Sequence, residues 1–125
     1  MDLHHLSERL RRFANERNWE QFHSPKNLSI ALSVEAAELL ERFQWLTEEQ
    51  SSALRDRPDD YAAVVDEMAD VLIYLVRLAD RLDVDLEAAV AAKIEKNEAK
   101  YPVHLAYGTA VKYNRRDTNS DGSQA

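Results

Sequence analysis

Residues 33 to 45 read SVEAAELLERFQW, and their spacing decides the fold. Wound as a helix at about 100° per residue, this stretch sets Glu35 on the apolar stripe of Leu28, Leu32 and Leu39. Glu38 lies one turn beside it. A charged group turned towards a core is costly unless something there compensates it. The stretch therefore predicts both a helix and a reason for its inward acids.

Working outward, the same 3/4 spacing recurs and strand-like alternation is nowhere sustained. Leu3, Leu6, Leu10, Phe13 and Ala14 predict a first helix from Asp2 to about Arg17, broken by RNWEQFH. Ser24 as cap and Pro25 at the first helical position open a second helix, running to about Gln44. Trp45 to Pro58 is a polar connector in which Thr47-x-x-Gln50 can cap one short turn. Pro58 or Asp59 starts a third helix to about Leu82; Asp83 or Asp85 caps a fourth, from Leu86 to about Lys100, which Pro102 ends.

Composition agrees with an all-α chain. Only 2 Gly and 3 Pro occur in 125 residues, and 45% are hydrophobic. That length predicts one domain, residues 1 to 113, followed by a polar, disordered tail, NRRDTNSDGSQA, at 114 to 125. There is no Cys, so neither disulfides nor thiolate metal sites arise, which suits a reducing cytoplasm. The start, MDLHHLSERLRR, lacks a signal-peptide core, and no apolar run is long enough to span a membrane. A net charge of −7 argues against binding long nucleic acid through its phosphates, but divalent cations can join an acidic protein to a small phosphorylated ligand.

The third helix repeats the oddity of the second. Glu67 shares a stripe with Val64, Val71 and Tyr74, and Asp70 lies one turn on. If these two helices run antiparallel, Glu35, Glu38, Glu67 and Asp70 can converge, and protons or hard cations must relieve their repulsion. With oxygen ligands only, Mg2+ is favoured, with Mn2+ as a substitute. The bland alternative is ordinary surface acids on Glu-rich helices. Val65, Met68, Ala69, Leu72, Leu75, Val76 and Ala79 cover most of the third helix's other side, so a second copy of the chain is expected to cover one face.

Tyr74 stands about 10.5 Å along the helix axis from Glu67, close to the span from a metal-bound phosphate to a base or sugar. On the fourth helix Lys93, Lys96, Asn97 and Lys100 share one face, suited to phosphate oxygens or simply to the helix dipole. Trp19, Phe22 and Trp45 flank the second helix as stacking groups or as core plugs, and His23 precedes its cap.

Glu35-x-x-Glu38 followed by Glu67-x-x-Asp70, with NWEQFHSPKNL before and KNEAKYPVHL after, resembles the MazG-like all-α nucleoside triphosphate pyrophosphohydrolases, nearest their dCTP pyrophosphatase branch. The likeness covers about residues 10 to 113 and includes FQW after the first acidic pair and DVLIYL across the second. It implies a four-helix-bundle-like protomer assembled as a dimer or tetramer, and Mg2+-dependent hydrolysis of a nucleoside triphosphate, dCTP or a modified dCTP, to monophosphate and pyrophosphate. By position, Glu35, Glu38, Glu67 and Asp70 would be the catalytic acids, as metal ligands. Trp19 and Trp45 would meet the pyrimidine, Tyr74 the nucleoside, and Lys93, Asn97 and Tyr101 the phosphates or sugar, while Lys93 and Lys100 would stabilise charge on the leaving group. His23 falls within the matching motif on the substrate side. Either a metal ligand or a free glutamate such as Glu41 would take the water's proton. The rival from another class is a non-catalytic helical oligomer or partner-binding protein. A di-iron bundle wants Glu-x-x-His pairs, which His4, His5, His23 and His104 do not supply.

Overall fold

The computed structural model describes residues 1–116, and among these every regular element is helical. The elements are α1 (Leu3–Glu16), a 3₁₀ turn Glu20–Phe22, α2 (Pro25–Glu41), α3 (Glu48–Ser52), a 3₁₀ turn Leu54–Asp56, α4 (Pro58–Arg81), α5 (Leu86–Lys100), α6 (Val103–Ala106) and a 3₁₀ turn Tyr113–Arg115. The all-α expectation holds. The chain divides into two compact units, Met1–Leu86 and a second beginning at Glu87. Residues 117 to 125, most of the expected polar tail, lie outside the described residues.

Local chemistry accounts for the helix starts. Asp2 accepts a hydrogen bond from the His5 amide at 3.1 Å and caps α1. Ser24 accepts from the Asn27 amide, and Pro25 sits in the first turn of α2, where no N–H is needed. Thr47 and Gln50 form a reciprocal capping box on α3, each side chain bonding the other's backbone N–H. Among the described residues two non-glycine positions take a left-handed φ of 55°, Asn18 just past α1 and Asp83 just past α4. Both are residue types that tolerate this conformation and so stop a helix. Asp83, expected as a possible opener of α5, thus sits at the close of α4. The second helix ends at Glu41 and not at Gln44, because the Phe43 amide bonds the Leu40 carbonyl in a tightened last turn.

In the first unit α4 packs against both α2 and α1. The α2–α4 pair is antiparallel: His23, just before α2, meets Arg77 near the end of α4, while Arg42, just after α2, approaches Glu67 in its first half. The buried apolar side chains are Ala14, Leu28, Leu54, Val64, Val76 and Ala79. Much apolar surface stays uncovered, including Ile30, Val34 and Leu40 on α2 and Val65, Met68 and Leu75 on α4. Among the described residues no helix is long and apolar enough to cross a membrane.

Candidate metal centre

The i, i+3 spacing turns Glu35 and Glu38 to one side of α2, and the antiparallel pairing sets Glu67 of α4 opposite them. One carboxylate oxygen from each of the three lies within 4.8 Å of the others. Glu67 is only 9% exposed. The Oε2 atoms of Glu35 and Glu67 are buried without any hydrogen-bond partner, an arrangement that costs free energy in the metal-free protein. Burial pushes the Glu35 carboxyl up to about 7, helped by hydrogen bonding with Glu67 and Glu38 and by the negative charge of Glu38 and Asp70.

Asp70, the fourth expected acid, is half-buried and outside the 4.8 Å group; it reaches Glu35 through its charge. Tyr74 is half-buried further along α4. The donor set fits a hard divalent cation, since every group is a carboxylate and two of its oxygens lack any other partner. Convergence of Glu35, Glu38 and Glu67 was legible in the sequence. A nearby cation was not: Arg42, in the turn after α2, brings Nη2 to 4.0 Å from Glu67 Oε1.

The expected aromatic groups fall into two environments. Trp19 packs edge-on against Phe13, ring centroids 5.7 Å apart, and against His23 at 6.2 Å. Trp45 is 86% exposed, so it plugs no core within the chain. His23 accepts at Nδ1 a hydrogen bond from Arg77 Nε, 3.3 Å away, and burial and the Arg77 charge lower its pKa. Arg77 is itself 3% exposed, a buried cation that sequence reasoning missed. Its other nitrogens donate to Glu20 at 2.6 Å and Asp80 at 2.8 Å. Arg81 adds a bond to Glu20, and Arg11 bonds Asp80 through Nε at 3.1 Å and through Nη2. The available signal was the pair Arg77 and Asp80, three apart in the apolar run of α4.

In the second unit Lys93 and Asn97 are exposed on α5. Tyr101 packs edge-on to Tyr113 with centroids 6.1 Å apart, and its hydroxyl accepts from the Tyr113 amide. Lys100 lies over the Tyr113 ring, 4.8 Å from its centroid, and its carbonyl accepts a bond from Arg116. Lys100 therefore already has an aromatic partner in its own unit.

Residues 30–115 match the MazG-like family. The chain belongs to the MazG-like family. This MazG-like chain is 50% identical over 101 residues to dCTP pyrophosphatase 1 of Rattus norvegicus and to dCTP pyrophosphatase 1 of Homo sapiens; the match covers 81% of this chain and 59% of each relative. It thus spans about three-fifths of the length of those relatives. The crystal structure of a pyrophosphatase from Archaeoglobus fulgidus is also similar, with a TM-score of 0.73 at 43% identity, over 79% of this chain and 91% of that one. The matched residues include both acidic pairs, whereas Trp19 and His23 precede them.

Proposed function

We propose that the chain hydrolyses a nucleoside triphosphate, dCTP or a modified dCTP, to the monophosphate and pyrophosphate, and so clears the cytoplasmic nucleotide pool. The observation that carries this is that Glu35 of α2 and Glu67 of α4, members of one three-carboxylate group, each hold a buried, unpartnered oxygen in a chain of the MazG-like family. The names of its relatives, dCTP pyrophosphatase 1 and a pyrophosphatase, support the reaction class.

Glu35, Glu38 and Glu67 would hold Mg2+, or Mn2+ in its place, and Asp70 would complete the set as ligand or as added negative charge. When bound, the cation neutralises the phosphates and lowers the pKa of a bound water. The chain's own residues do the rest. The cluster must shed the Glu35 proton to take the ion, which couples binding to pH. Trp45, open to solvent, and Trp19, set against His23, offer faces on which a base can stack. Tyr74 on α4 meets the nucleoside. By the family resemblance, Lys93, Asn97 and Tyr101 would meet the phosphates or sugar, and Lys93 and Lys100 would stabilise charge on the leaving group. A ligand carboxylate or Glu41 accepts the water's proton.

The protein works as a homodimer or homotetramer, since the exposed apolar side chains of α2 and α4 need covering. Incubation with dCTP, dUTP and ATP in Mg2+, scored for monophosphate and pyrophosphate, tests the reaction. Release from dCTP that stops in EDTA is expected. Release from none of the three would refute it.

A further inference from the structure

Arg77 is the most buried cation described in the chain, and it is joined to more than its acidic partners. Its Nη1 and Nη2 donate to Asp80 and Glu20, which balances its charge. Its Nε donates to His23 Nδ1. A guanidinium has donors only and no lone pair, so the histidine nitrogen facing it must be the acceptor. The imidazole proton then belongs on Nε2.

Protonating His23 would turn one N–H against another and add a positive charge beside Arg77. The charged groups facing the ring are Arg77 and Arg81 of α4, which oppose protonation, and Glu20 of the preceding 3₁₀ turn, which favours it. Glu20 is already committed to both arginines, through Oε1 to Arg77 and Oε2 to Arg81. The edge-on contact with Trp19 fixes the ring from another side.

We infer that Arg77 is a positioning residue that locks His23 as the neutral Nε2–H tautomer, so that His23 meets the nucleotide as a hydrogen-bond donor through Nε2 and never as a base or a cation. The nucleotide half of this inference rests on the function proposed above; the lock itself does not.

Nitrogen-15 NMR of the full chain reads the lock directly. His23 is expected to show a protonated Nε2 and a bare Nδ1 throughout the neutral range, and its Nε2 signal is expected to move when the α,β-imido analogue of dCTP is added with Mg2+. In R77K the cation that Glu20 and Asp80 need is kept but the fork is lost. His23 should then populate both tautomers and titrate at higher pH, with KM for dCTP raised about twofold and kcat nearly unchanged, because only the Nε2–H fraction donates. An Nδ1–H tautomer or an imidazolium in the wild-type protein at pH 7 would overturn the lock, and needs no variant to fold. An unchanged tautomer and KM in R77K would overturn the role of Arg77. A locked His23 in a protein that releases no pyrophosphate from any triphosphate would sink the nucleotide half and leave the lock standing.

Discussion

Arg42 Nη2 stands 4.0 Å from Glu67 Oε1, so the turn that ends α2 supplies a cation to the acid cluster that α2 itself helps to build. The arginine is about half exposed and is screened by water. It lowers the cost of the metal-free cluster and competes weakly with a metal ion for Glu67. Arg42→Gln is therefore expected to raise Mg2+ affinity by about threefold, within the range of a screened ion pair, as read by calorimetric titration. A fall in affinity would mean that Arg42 organises the site and does not merely neutralise it.

The raised pKa of Glu35 carries a stability consequence whose sign is fixed. Its folded value, about 7, stands above its ordinary 4.5, so the native state holds an extra proton between them. Metal-free stability should fall as pH rises through that window, because ionising Glu35 adds charge to the cluster. Mg2+ should reverse the trend, since its binding grows as the proton leaves and levels off above about pH 7. Melting temperatures across the window, in EDTA and in Mg2+, for wild type and Glu35→Gln, check both statements. Metal-free curves of equal slope for the two proteins would contradict the assignment.

Asp80 behaves in the opposite way. The Arg11 hydrogen bond, with the charges of Arg11 and Arg77, holds its carboxyl below the usual value of 3.8. Its contribution is present above that value and is lost as pH falls through the lower folded one. Asp80→Asn leaves the buried Arg77 short of a counter-charge and should cost about 3 kcal/mol near pH 7, measured by urea unfolding. The gap between variant and wild type should narrow in acid. A gap that does not depend on pH would point to packing.

Much of this protein could be read in the chain because its signals are local. Ser24-Pro25 and Thr47-x-x-Gln50 start helices through bonds three residues long, and both appear as expected. Glu35, Glu38 and Glu67 converge because helical spacing and one antiparallel pairing are enough to aim them. What escaped depends on distant partners. The burial of Arg77 depends on Glu20, 57 residues earlier, which accepts from it. Arg42 looks like ordinary helix surface, and only the turn after Glu41 brings it towards Glu67. Trp45 could have been buried or open by pattern alone, and tertiary structure leaves it open.

The most direct measurement is pyrophosphate release from dCTP in Mg2+ by Glu38→Gln beside the wild-type protein. Glu38→Gln keeps the size of the side chain and removes one negative oxygen from the three-carboxylate group. Mg2+-dependent release is expected from the wild type, none above background from the variant, and the same helical circular dichroism from both. Release by the variant at the wild-type rate would contradict the proposed metal site.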